Sequence, residues 1–265
     1  MSPVLYLPHG GGPLPLLGEP GHASMVEFLK KIPVQLGSPA AILVISAHWE
    51  ESTPVITSGL RPELIFDYYG FPPETYQYAY PAPGLPELAE NLHSILSRTG
   101  MNSKLDPQRG FDHGLFIPLM IMYPEATIPC VQISLLNSLD PAEHIQLGKH
   151  LSVLREQNVL IIGSGLSYHN MGGFSDHGDQ VQQHNAQFDQ WLVETCCNQD
   201  LSYVERERRL IEWEQGPSSR HCHPREEHLL PLHVCFGASK DQSFSAELVY
   251  HDKVMGKMAS GFLWN

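Results

Sequence analysis

The chain has 265 residues, with 29 Asp and Glu against 16 Lys and Arg, a formal charge of −13, and 42% hydrophobic residues. That apolar content excludes a disordered chain, and the acidic balance excludes polybasic contacts to nucleic acid or to an anionic membrane surface. No run approaches the roughly 18 apolar residues of a membrane span.

The five cysteines form no CxxC pair, which argues against a disulfide framework and a thiolate zinc site and points to a reducing, cytoplasmic setting. The opening MSPVLYLPHGGG has no basic region before its apolar residues and is not expected to be a signal peptide. The unusual count is histidine: 15, nearly as many as Lys and Arg together.

Apolar runs alternate with helical patterns, so an α/β fold is expected: a single domain over 1–265, with a central mixed, largely parallel sheet and helices on both faces. The predicted strands are Val4–Pro8, Ala40–Ser46, Thr53–Ser58, Ile128–Leu135, Val159–Gly163 and Ala246–Tyr250, with a short one at Phe262–Trp264. AAILVIS and NVLIIG are continuously apolar, the pattern of strands covered on both faces. Helices are expected at Pro20–Leu36, Leu85–Arg98, Asp140–Leu154, Asp179–Cys197 and Leu201–Trp213, and one is expected near Pro118. Asp140 as N-cap, Pro141 and Glu143 make a clear helix start. The segment Asp67–Pro86 holds five Pro and five Tyr without a period, which suits either a functional lid or a pinned surface excursion.

Three apolar strands each lead into a histidine: VLYLPHGGG gives His9, AILVISAHWE gives His48, and VLIIGSGLSYHN gives His169. Ligands in open α/β sheets bind at the carboxyl ends of parallel strands, so these three are expected to converge. Gly10, Gly11 and Gly12, and Gly163 with Gly165, leave room for a ligand there. A fourth cluster, HCHPREEHLLPLH, holds His221, His223, His228 and His233. Pro224 is expected to open a helix with Glu227 and His228 in its first turn, about 100° apart, so that only one of them faces a given site. His221 and His223 suit a solvated loop, and His233 suits packing. His113, flanked by Gly110 and Gly114, is a loop candidate for the site. His22, His93, His144, His150 and His184 suit exposed helix faces, and His177 and His251 need no function.

Histidines with at most one carboxylate and no cysteine fit Zn(II), Fe(II), Mn(II) or Cu(II). Fe(II) with open positions would serve oxygen chemistry, and Zn(II) would serve hydrolysis through a bound hydroxide. HExxH, GxSxG, Walker A and GxGxxG are absent.

In order along the chain, LPHGGGP, SAHWE, DYYGFPPETYQYAYPAPG, GFDHGLFIPL, IPCVQISL, GSGLSYHN and HPREEHLLPLHVCFGA resemble the class III extradiol ring-cleavage dioxygenases, the LigB superfamily, in its DOPA 4,5-dioxygenase branch. One departure is HGGGP where many members carry HGSP. The resemblance implies metal ligation by His9, His48 and His228, with Glu227 as the alternative third ligand. It implies acid–base work by His169, which approaches the ion in some members, and a pocket position for His113. It also implies Fe(II) for activity, with Zn(II) able to occupy the same site, and a small-molecule catechol and O2 as reactants. Tyr68, Tyr69 and Trp49 suit either ring stacking or packing. The alternatives are a zinc hydrolase on the same histidines and an inactive interaction protein. The oligomeric state stays open between monomer and dimer.

Overall fold

The computed structural model describes residues 1–239 and 245–265. Its strands are β1 (Val4–Pro8), β2 (Ala41–Glu51), β3 (Val55–Thr57), β4 (Lys104–Asp106), β5 (Cys130–Leu136), β6 (Val159–Gly165), β7 (Glu247–Val254) and β8 (Lys257–Trp264). They form one mixed sheet in the order β4-β3-β5-β2-β6-β1-β8-β7. The centre, β5-β2-β6-β1, is parallel, and β8 and β7 extend it antiparallel. The fold is therefore α/β, as the alternation of runs predicts.

The continuously apolar strands are the middle ones. β1 and β6 are buried along their whole length, because helices cover both faces. One face carries the helices Pro86–Arg98, Pro141–Leu151, Asp179–Cys197 and Leu230–Ser239, packed on a core that includes Leu43, Ile133, Ile161 and Phe236. The other carries Ala23–Lys31 and His113–Met122 over Leu5, Ile42, Val44 and Ile162. Each such side chain moved out of water contributes about 1.5–3 kcal/mol. Among the described residues no helix is long and apolar enough to cross a membrane, and all five cysteines are free.

Several elements differ from expectation. β2 runs on to Glu51 because it bulges: its register to β5 shifts between Ile45 and Glu50, and the extra residues carry His48. The short strand β4 lies at the sheet edge and has too few residues to show a period. The helix expected from Pro224 begins instead at Leu230. The carbonyl of His228 is taken by the Leu166 N–H and the Tyr6 hydroxyl, both 3.1 Å away, so it faces the sheet rather than a helical turn.

Three histidines assigned to solvated positions are buried. His22 accepts from the Gly11 N–H and His144 from the Leu136 N–H, each at 3.0 Å, so both brace backbone. His223 packs against Phe188 and Trp213, and its Nε2 donates to the Ser167 carbonyl at 2.9 Å. Burial pushes His223 down to about 3, from the ordinary 6.5. Below about pH 6.5 the unfolded chain therefore takes a proton that the folded chain refuses. The stability this contributes at neutral pH is lost as pH falls from about 6.5 toward about 3, at up to about 1.4 kcal/mol per unit. Urea unfolding in the presence of chelator at pH 7 and pH 5 checks this. The His223→Gln protein should lose less stability than the native chain between the two values.

Candidate metal centre

The carboxyl ends of β1 and β6 and the bulge of β2 open into one cavity of about 440 Å³, lined by His9, His48, His113, His169 and His228 among others. All five histidines singled out from the sequence meet there. The ligand atoms of His9, His48 and His113 lie within 4.8 Å of one another, as do those of His169, Glu227 and His228. The two groups adjoin: the His228 ring centroid lies 5.2 Å from that of His9 and 4.8 Å from that of His48. His169 stacks on His228 at 3.4 Å.

Four of the five imidazoles are held by Nδ1, and that of His48 lies near a carboxylate. His113 Nδ1 lies 2.8 Å from Asp67 Oδ1, which also accepts the His113 backbone N–H, and His48 Nδ1 lies 3.7 Å from Asp67 Oδ2. Glu227 Oε1 lies 2.9 Å from His228 Nδ1 and 3.0 Å from His169 Nδ1. An ionised carboxylate only accepts, so the Nδ1 atoms of His113, His228 and His169 carry the protons and Nε2 keeps its lone pair. His9 reaches the same tautomer through a relay. Pro118 sits inside the helix His113–Met122 and has no N–H for the carbonyl of Gly114, four residues back. That carbonyl instead accepts the Ser164 hydroxyl. The hydroxyl's single proton is thus committed, and Ser164 Oγ accepts from His9 Nδ1 at 3.0 Å.

The consequence is that His9 presents its Nε2 lone pair to His48 Nε2 at 3.1 Å. A cation held between the two rings would take a lone pair from each nitrogen. Burial foremost, then the neighbouring histidines, holds His9, His48 and His228 well below the ordinary imidazole range, so they stay neutral. Burial works to raise Asp67 and Glu227, but hydrogen bonds and charge from His113 and His169 respectively bring both carboxylates below their ordinary values. Neutral imidazoles with carboxylates behind them are the donor set of a divalent transition metal. The residues fit such an ion.

Backbone packing fixes the ring positions. A Cβ on Gly165 would lie 2.2 Å from the His228 carbonyl, so only glycine lets that residue come so close to β6. A Cβ on Gly114 would meet Ser46 Oγ at 2.3 Å. Ser46 donates to the buried Asp112 at 2.8 Å and accepts the His48 N–H at 3.2 Å, which anchors the bulge. Glu227 and His228 lie in a turn rather than a helix, and, as expected, only one of them lines the cavity: His228 does, and Glu227 stands behind it on Nδ1. Tyr68 and Tyr69 line the cavity, whereas Trp49 is buried under Arg109.

Asp67, Ser164 and the Gly114 carbonyl were not singled out as site groups from sequence. Asp67 opens the Tyr- and Pro-rich segment, and a lone acidic residue there carries no spacing signal. Ser164 lies inside an apolar strand, where a buried hydroxyl beside two glycines was the available clue.

The family described as the catalytic LigB subunit of aromatic ring-opening dioxygenase matches residues 5–262. A 4,5-DOPA dioxygenase extradiol of Beta vulgaris is 41% identical, with 84% of this chain and 81% of the relative covered. The dioxygenase tasH of Hapsidospora irregularis is 37% identical over 100% of this chain and 86% of its own length. Among solved structures, an uncharacterized protein of Escherichia coli K12 superposes with a TM-score of 0.81 at 28% identity, with all of both chains covered.

The relay predicts that Ser164→Ala weakens zinc binding by about 10–100-fold, as loss of a group that orients a ligand does. Pro118→Ala, which returns a competing N–H to the Gly114 carbonyl, should weaken it in the same direction. Competition against a chromophoric chelator measures both. Unchanged affinity in Ser164→Ala would rule out the relay.

Proposed function

The chain belongs to the LigB family of aromatic ring-opening dioxygenases and is a metal-dependent extradiol ring-cleaving enzyme, and on that premise we propose that it uses Fe(II), held by His9, His48 and His228, to cleave a DOPA-like catechol, with residues 1–265 acting as one catalytic domain. The choice of these three among the five histidines follows the family resemblance, and the approach of their rings supports it: the His9 centroid lies 4.9 Å from that of His48 and 5.2 Å from that of His228, and His48 and His228 are 4.8 Å apart. His9 and His228 have Nδ1 engaged by Ser164 and Glu227, which leaves Nε2 as the donor.

When bound, Fe(II) supplies the redox chemistry that lets a chelated catechol react with O2, and both oxygen atoms enter the ring-opened semialdehyde. The remaining work belongs to side chains. His169 has Nδ1 committed to Glu227, so its Nε2 is the atom that accepts a catechol proton. Stacking on His228 keeps that nitrogen beside the ligand set rather than in solvent. His113, oriented by Asp67, offers a second Nε2 that lines the cavity and is the second group that would hold or return a proton there. Tyr68 closes the wall next to His113, with ring centroids 5.7 Å apart. The cavity thereby holds the diol against its proton acceptor, which is the proximity term of the catalysis. Zn(II) suits the same nitrogen donors but does not change oxidation state, so the zinc form serves as a binding-competent, inactive control.

Anaerobic loading with Fe(II) should give a protein that consumes O2 with a catechol and forms a yellow product, while the zinc form consumes none. Oxygen uptake by the zinc form, or none by the iron form with any catechol, would falsify the assignment. His48→Ala should lose stoichiometric metal while keeping its far-UV circular dichroism. His169→Gln should keep the metal and lower kcat by about 10²–10⁴-fold, the usual range for a general acid–base residue.

A further inference from the structure

The turn that carries Glu227 and His228 is tied to the strand that carries His48, and the tie is Arg225. Its Nη1 and Nη2 each donate to one oxygen of Glu50, both at 2.6 Å. Glu50 lies two residues beyond His48 in β2, past the bulge, and is registered on Leu135 of β5. The guanidinium is thus held on the sheet by a planar two-point clasp, a geometry that lysine does not reproduce.

From that position Arg225 faces the carboxylate behind two of the histidines. Its Nη1 lies 3.4 Å from Glu227 Oε2. Glu227 uses Oε1 for both imidazoles, accepting from His228 Nδ1 at 2.9 Å and from His169 Nδ1 at 3.0 Å. Oε2 is buried and has no hydrogen bond among the described residues, so the charge it meets is that of Arg225. The last torsion of a glutamate is broad and nearly two-fold, so the backbone does not fix which oxygen meets the rings. A cation held on the Oε2 side does. The other arginine of this region is engaged elsewhere: Arg220 Nη1 pairs with Glu226 Oε2 at 2.5 Å, and its guanidinium lies over Trp213. Neither Arg225 nor Glu50 lines the cavity.

We propose that Arg225, clasped by Glu50, is a positioning residue for the metal centre: it holds the Glu227 carboxylate so that one oxygen orients both His228 and His169. This rests on the assignment above of His228 as a ligand and His169 as the proton acceptor. The Arg225 side chain is half exposed, and an exposed ion pair by itself contributes little to stability. Here it aims a buried acceptor, and through that acceptor the Nε2 atoms of two rings. Its removal leaves the fold in place and lets the carboxylate turn, which loosens a metal ligand and the acid–base ring together.

A double-mutant cycle separates this role from simple bracing of the turn. Arg225→Gln should lower zinc affinity, read by competition against a chromophoric chelator, by about 3–10-fold, less than the roughly 10–100-fold of a group that touches a ligand directly. In the Glu227→Gln background the same change should lower it by less than about twofold, because no carboxylate charge is left to hold. Should Glu227→Gln fail to fold or to bind zinc, Glu227→Asp, with its carboxylate drawn back from both rings, takes its place in the cycle. Arg220→Gln, which frees Glu226 in the same region, should keep zinc affinity within about twofold of the native chain. On the iron-saturated enzyme, Arg225→Gln should lower kcat by about tenfold and keep the catechol KM within about twofold, since the residue stands off the cavity wall. No loss of affinity in Arg225→Gln, an equal loss in the Glu227-substituted background, or an equal loss in Arg220→Gln overturns the proposal. A raised KM with kcat unchanged overturns it too and assigns Arg225 to substrate capture. Absence of oxygen uptake by the native chain counts against the Fe(II) ring-cleavage assignment instead, and the zinc cycle still decides this one.

Discussion

Everything at the centre of this protein follows from the enforced protonation of imidazole at Nδ1. A neutral imidazole has one N–H and one lone pair, so whatever accepts the N–H decides where the lone pair points. Glu227 makes that decision for His228 and His169, Asp67 makes it for His113, and Ser164 makes it for His9. The result is a buried set of acceptors at close range, with two nitrogens 3.1 Å apart. The protein spends folding stability to hold them so, and a bound divalent cation offsets that cost. The same linkage explains why the carboxylates stay ionised despite burial.

Helix chemistry reaches the site through Pro118. In most helices a mid-helix proline is a defect that frees one carbonyl. Here the freed carbonyl of Gly114 absorbs the Ser164 proton and so sets the tautomer of a residue on a different strand. Glycine plays a complementary part at Gly165, where the missing Cβ admits the His228 carbonyl to the end of β6. Fold and site therefore share groups, and a change in one of them is felt in the other. Charge is treated differently away from the histidines. The histidine cluster is rich in ionisable groups, while much of the rest of the cavity wall is apolar, with Leu14, Phe71, Leu166, Met171, Phe174 and Met255 beside two tyrosines and the Gly10–Gly12 backbone.

Much of the fold was legible before any coordinates. Continuous apolar runs marked the doubly covered strands β2 and β6, and the Asp140-Pro141 start was borne out by two hydrogen bonds to the Asp140 side chain. The strand-end position of His9, the His48 of β2 and the nearby His169 were enough to expect convergence, because parallel strands deliver their carboxyl ends to one edge. What failed was local. Pro224 looked like a helix start, yet the His228 carbonyl is bonded by groups some 60 and 220 residues away in sequence, Leu166 and Tyr6, and those bonds displace the helix to Leu230. His22, His144 and His223 were judged by polarity, but each is buried because its ring bonds to backbone.

The sequence by itself determined the α/β class, the edge of the sheet where chemistry happens and the five histidines that meet there, since hydrophobic period and chain direction are local properties. Only the tertiary structure decided which ring nitrogen each histidine offers, that Asp67 and Ser164 belong to the site, and that Glu227 and His228 act together. Those outcomes depend on hydrogen bonds between residues from 1 to 155 positions apart, and no spacing along the chain encodes which acceptor a given imidazole finds.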